Sequence, residues 1–192
     1  MGQLPRKLIR PVARLGGRPA CDSGDNPRVL VVVPAYNEED SLPRALADLG
    51  TLSGLVNFDV VVIDDGSTDA TRKVAMAHGA ACVLLPFNLG IGGAVQTGRL
   101  YAVERDYDIA VQFDADGQHL AGEIPQLLIS LMDETAHVVI GSRFCGRRQF
   151  RSTYSRRVGI GLLSHVVRLL SRQTFTDVTS GFRAFNREAM HF

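Results

Sequence analysis

From residue 28 onward, short apolar runs rich in β-branched residues alternate with segments of helical periodicity. This alternation limits the chain to βαβ units and a mostly parallel sheet flanked by helices, because each parallel strand needs a crossover that covers a face of the sheet. The runs 29–33, 59–63, 81–85, 109–113 and 137–140 read as five strands. Between them, helices are predicted from Asn37 to Gly50, from Ser67 or Thr68 to Gly79, from about Gly92 to Glu104 and from about Gly122 to Asp133. Asn37 is read as a helix cap, and Leu42, Ala45, Leu46 and Leu49 as one buried face. Residues 1–27 are rich in Pro, Gly and Arg without periodicity and read as a flexible basic tail. Residues 28–192 read as one domain.

Ligands of such sheets bind beyond the carboxyl ends of the strands. Every strand end here is polar or glycine-rich: PAYNE (34–38), DDGSTD (64–69), NLGIGG (88–93), DADGQH (114–119) and GSR (141–143). In the fourth of these, Asp114 and Asp116 leave the strand together, and Gly117 supplies a bend. Two carboxylates so close repel unless a cation joins them. A hard divalent ion, Mg²⁺ or Mn²⁺, is the natural partner, with Gln118 adding a neutral oxygen. The alternative is a solvated acidic turn. Asp64-Asp65 forms a second acidic strand end, of which helix capping explains only part. Gly90-x-Gly92 suggests a dinucleotide-binding loop, but Val95 stands where the third glycine belongs and the motif follows the third strand.

Charge is divided along the chain. Residues 1–28 carry a balance of +4, residues 29–141 one of −11 and residues 142–192 one of +8, within a net charge of +1. An acidic, metal-holding region beside an arginine-rich, phosphate-holding one fits that polarity, as does a merely solvated basic surface. Eight arginines and no acidic residue fall in 142–176, around an apolar stretch at 158–170. This stretch is too short to span a bilayer, and reads either as a core helix or as an interfacial one with its arginines on anionic headgroups. Cys21, Cys82 and Cys145 are scattered, which argues against disulfides or a zinc site and for a reducing, cytoplasmic setting. No nucleic-acid partner is expected.

Taken together, the segments VPAYNEE (33–39), DDGSTDAT (64–71), NLGIGGAVQTG (88–98), DADGQH (114–119), GSRF (141–144) and TSGFRAF (179–185) resemble the family 2 glycosyltransferases, and within them the polyprenol-phosphate (dolichyl-phosphate) mannose synthase type. The resemblance implies a nucleotide-diphospho-sugar transferase fold of the GT-A type. It implies nucleotide contacts from Pro34, Tyr36, Glu38, Ile63 and Asp65, and nucleotide and sugar contacts from Asp114 and Ala115. It assigns Asp116 and Gln118 as ligands of Mg²⁺ or Mn²⁺, and Arg143 and Arg183 as phosphate and donor contacts. The implied partners are a nucleotide-sugar donor and a polyprenyl phosphate acceptor, with peripheral contact at the inner face of the cytoplasmic membrane.

A phosphate acceptor, with a second pKa near ~6, needs no general base. A hydroxyl acceptor in surface polysaccharide synthesis would need one, and Asp177 is the candidate. Two other readings compete. Asp114-x-Asp116 imitates the nucleophile motif of haloacid dehalogenase phosphatases, although there the motif ends the first strand. The other is an inactive or incomplete nucleotide-sugar-binding domain. The chain stops a few residues into a helix begun near Asn186, so residues 186–192 are expected to be poorly packed and the domain truncated.

Overall fold

The computed structural model describes residues 27–117, 119–132, 136–141 and 180–191. Six strands form one sheet: β1 (Val29–Ala35), β2 (Phe58–Asp64), β3 (Ala81–Leu84), β4 (Ile109–Gln112), β5 (Val138–Ile140) and β6 (Arg183–Asn186). Their order is β3-β2-β1-β4-β6-β5. The first four are parallel, and β6 runs antiparallel to both β4 and β5. Helices α1 (Leu42–Gly50), α2 (Thr71–Ala77), α3 (Gly90–Glu104), α4 (Ile124–Met132) and α5 (Arg187–Met190) cover the two faces, with a short 3₁₀ turn at Ala121–Glu123.

All seven residues of β1 are buried, which explains why this strand reads as a continuous apolar run and shows no alternation. Val29, Val31 and Val33 meet Leu42, Leu46 and Leu49 of α1 and Leu128 of α4 on one face. Leu30 and Val32 meet Ala94, Tyr101 and Ala102 of α3 on the other. Burying each such aliphatic side chain contributes about 1.5–3 kcal/mol. Gly98 brings α3 close to β1, since a Cβ there would lie 2.2 Å from Val32 Cγ1.

Three sequence expectations are corrected. Strand β6 is additional to the five strands read from the sequence. It inserts between β4 and β5, with Ala184 facing one core and Phe185 the other. Helix α1 begins at Leu42 and not at Asn37, because Asn37 adopts a left-handed φ of 54° and its carboxamide oxygen accepts from the Thr68 amide at 2.9 Å. In α2, neither Ser67 nor Thr68 is the cap; Ala70 stands there, and Asp69 Oδ1 accepts from the Thr71 amide.

The end of the chain is also better packed than expected. Asn186 caps α5 through its side-chain oxygen, Met190 is buried, and the Arg99 guanidinium donates to the carbonyls of Ala189 and Met190 at 2.7 and 3.2 Å. At the amino ends of the strands, Tyr107 donates to Asp59 at 2.7 Å while the Arg28 guanidinium lies 4.7 Å from the Tyr107 ring centroid. Burial, reinforced by Asp59, raises the Tyr107 hydroxyl well above its ordinary pKa.

Tyr101 is fully buried, and among the described residues its hydroxyl has no hydrogen-bond partner. An unsatisfied buried hydroxyl costs about 1–3 kcal/mol. Tyr101→Phe is therefore expected to raise stability by about 1 kcal/mol, or Tm by roughly 2–4 °C. A calorimetric scan showing a lower Tm would mean that the hydroxyl has a partner after all.

Candidate active site

The loops after β1 and β2 are fastened to each other by their own polar side chains. The Asn37 amide donates to Ser67 Oγ at 3.0 Å, the Glu38 amide to Thr71 Oγ1 at 2.8 Å and the Glu39 amide to Asp69 Oδ2 at 3.1 Å. In return, the Ala70 amide donates to Glu39 Oε2 at 2.8 Å. Burial pushes the Asp69 carboxyl upward, but the Thr71 hydroxyl and the amides donating to it leave it below its ordinary pKa. The consecutive aspartates divide the work. Asp64 accepts from the Ser67 amide, closing the turn, and Asp65 Oδ1 reaches across to accept from the Leu89 amide at 2.7 Å. The Cys82 thiol nearby is pushed up to about 11, chiefly by burial, and is an inert packing group.

These fastened loops and the end of β4 enclose a cleft of about 240 Å³. The structure brings Pro34, Tyr36, Glu38, Asp65, Asp114, Ala115 and Asp116 together along it, joined by Ala35, Ile91 and Ala94. Tyr36 is 46% exposed at its mouth. Glu38 also accepts a hydrogen bond from the Ser41 hydroxyl. Ile63 does not line the cleft; it is enclosed in the core with Leu30, Val32 and Val83, where it supports the Asp64–Asp65 strand end. Arg183 lies opposite Gln112 in the ladder, one strand from the cleft, and its Nε donates to the Ser180 carbonyl at 2.7 Å. Gln118, Arg143 and Asp177, like the arginine-rich stretch 142–176, lie outside the described residues.

Among the described residues, four carboxylates and no Lys or Arg line the cleft. A diphosphate entering it needs a cation. Asp114 and Asp116 offer hard oxygen donors at one strand end, which fits Mg²⁺ or Mn²⁺ held by one or two carboxylates and completed by substrate phosphates. Among the described residues no three His, Cys, Asp or Glu side chains converge on one point.

Asp114 is held from two sides. Its Oδ1 accepts from Gln112 Nε2 at 3.0 Å, and its Oδ2 rests where Gly181 has no side chain. Beyond Asp116, a second hollow of about 530 Å³ opens towards Ser41 and towards Arg44 and Asp48 of α1, and shares Ala115 and Asp116 with the first. Sequence reasoning passed over Ser180, Gly181 and His119. Ser180 and His119 are buried polar groups. Their places inside TSGF and DADGQH were the available signal.

A mixed sheet with helices on both faces and an Asp-x-Asp turn at the end of β4 defines the nucleotide-diphospho-sugar transferase fold of the GT-A type. Within that class the chain belongs to glycosyl transferase family 2, whose signature matches residues 30–191. It is 31% identical over 181 residues to the UDP-N-acetylglucosamine–dolichyl-phosphate N-acetylglucosaminyltransferase of Methanococcus voltae, a match covering 84% of this chain and 70% of that one. It is 34% identical over 169 residues to the undecaprenyl-phosphate mannosyltransferase of Micrococcus luteus, covering 85% of this chain and 68% of that one.

Among solved structures, the glucosyl-3-phosphoglycerate synthase of Mycobacterium tuberculosis bound to UDP superposes with a TM-score of 0.66 at 26% identity, over 93% of this chain and 65% of that one. The same enzyme has been crystallised with Mn²⁺ and UDP-glucose. The chain spans 65% of the length of an uncharacterised relative from Methanocaldococcus jannaschii to which it is 35% identical. Among the described residues no helix is long and apolar enough to cross a membrane.

Proposed function

We propose that this chain transfers a sugar from a nucleoside-diphosphate donor to polyprenyl phosphate by metal-assisted in-line displacement. The observation that carries this reading is the cleft itself. Residues from three separate strand ends line one hollow in which the charged side chains among the described residues are all acidic, and which ends in the Asp114–Asp116 pair. A bound Mg²⁺ or Mn²⁺ would supply charge neutralisation for the departing diphosphate. Asp116, with Gln118, would hold it. Tyr36 and Pro34 offer apolar surface to the base, and Asp65, its Oδ1 fixed by Leu89, keeps a second oxygen for an N–H donor of the base or a hydroxyl of the ribose. Arg143 and Arg183 would take the phosphates of donor and acceptor, and the ionised acceptor oxygen would attack without a base.

The curated relatives named for dolichyl and undecaprenyl phosphate favour the lipid acceptor. A second reading, transfer to a hydroxyl with Asp177 as base, is favoured by the phosphoglyceric acid complex of the solved neighbour. Thermal-shift screening of UDP-glucose, UDP-N-acetylglucosamine and GDP-mannose with Mn²⁺, followed by turnover with undecaprenyl phosphate, tests the proposal. A ligand at 100 times its Kd should add about 2.7 kcal/mol of stability. Product on phosphoglycerate alone would favour the second reading, and no Mn²⁺-dependent shift with any donor would leave neither standing.

A further inference from the structure

We propose that His119 is a positioning residue, a latch that fixes the segment 180–183 against the turn carrying Asp114 and Asp116; this rests on the donor-site reading above. His119 is buried, with 5% of its surface exposed, and its ring is held on both sides by polar and aromatic partners. Its ring stacks on Phe182, with centroids 4.8 Å apart and an interplanar angle of 24°. Its Nε2 is hydrogen-bonded to Ser180 Oγ at 3.2 Å, and its Nδ1 lies 3.6 Å from Glu123 Oε2.

Each contact leads to the site. Ser180 Oγ also accepts from the Phe182 amide at 3.2 Å, and the Ser180 carbonyl accepts from Arg183 Nε. Gly181, between them, abuts the Asp114 carboxylate. His119 therefore joins the exit of the Asp-x-Asp turn to the entrance of β6, two pieces of chain 61 residues apart in sequence. A buried Leu or Phe would fill the space; an imidazole adds a directional bond that sets where Ser180, and through it Gly181 and Arg183, stand. The latch sets the geometry at the diphosphate end of the cleft. The Tyr36–Asp65 end is held independently by the fastened β1 and β2 loops, so the latch acts on turnover more than on donor affinity.

The test compares His119→Gln, His119→Phe, Ser180→Ala and the His119→Phe/Ser180→Ala pair in the full chain. Gln keeps an amide that can donate or accept near the Nε2 position, whereas Phe keeps the stacking and loses the hydrogen bond. With the sugar nucleotide that the parent uses among UDP-glucose, UDP-N-acetylglucosamine and GDP-mannose, with Mn²⁺ and undecaprenyl phosphate, His119→Phe should lower kcat at least tenfold with donor KM within about threefold. His119→Gln should recover kcat to within about threefold of the parent. The double variant should lose less than the sum of the two single losses, because both substitutions remove the His119–Ser180 bond while Ser180→Ala alone also removes the acceptor of the Phe182 amide. A His119→Phe variant with parental kcat and only a lower Tm overturns the proposal, as does a His119→Gln variant no better than Phe. A parent that shows no Mn²⁺-dependent stabilisation with any of the three donors instead overturns the donor-site reading, and the latch falls with it.

Discussion

Asp116→Asn should abolish the stabilisation that Mn²⁺ and nucleotide together give the parent, and lower transfer by about 10²–10³-fold, the usual scale for losing one preorganised electrostatic group. The carboxylate stands at the mouth shared by the two hollows, next but one to Asp114. Without metal, the pair is held against its own repulsion, so removing one charge should leave Tm equal or slightly higher. With Mn²⁺ and nucleotide near 100 times Kd, the parent gains about 2.7 kcal/mol, equivalent to roughly 5–10 °C for a chain of this size, and the variant should gain almost none of it. A solvated acidic turn would predict parallel curves for the two proteins under both conditions. Differential scanning with and without the Mn²⁺–nucleotide pair separates these outcomes, and equal gains would remove Asp116 from the metal site.

The parts of the fold that were legible in the sequence are those whose physics is local. Parallel strands buried on both faces must be apolar throughout, and 29–33, 59–63 and 109–113 therefore declare themselves. The spacing of Leu42, Ala45, Leu46 and Leu49 gave the buried face of α1 correctly. Its start was misjudged because a good capping residue, Asn37, is engaged by Thr68 from another loop, a competition that no local window contains. Strand β6 failed for a related reason. Arg183–Asn186 has four residues, no alternation to speak of, and pairs on both sides with strands more than 40 residues distant in sequence. The strand-end carboxylates were legible as a group because topology alone sends strand ends to one edge. The support beneath them was not, since His119 finds Ser180, and Asp114 finds Gly181, only once β6 is in place.

That dependence makes Gly181→Ala the more revealing of the substitutions around Asp114. A Cβ at 181 would lie 1.7 Å from Asp114 Oδ2 and 2.6 Å from its Cγ, so the whole carboxylate must move. It has little freedom to do so, because Oδ1 is tied to the side chain of Gln112, which is itself buried in β4. Ala introduces no backbone strain at this residue, whose φ is not in the left-handed region, so the effect comes from the collision alone. Overpacking of this kind costs about 1–3 kcal/mol, and Tm should fall by roughly 2–12 °C. Transfer should drop more than tenfold even well below the new Tm, since Asp114 is displaced from the cleft. Adding Asp114→Ala removes the atoms that collide. The double variant should therefore recover most of the lost Tm while remaining inactive, because the carboxylate itself is gone. Stability and activity would then part in opposite directions at one contact, a pattern that a general weakening of β6 does not produce. Additive losses of Tm in the double variant would show instead that Gly181 is needed for the path of the chain and not for the seat it gives Asp114.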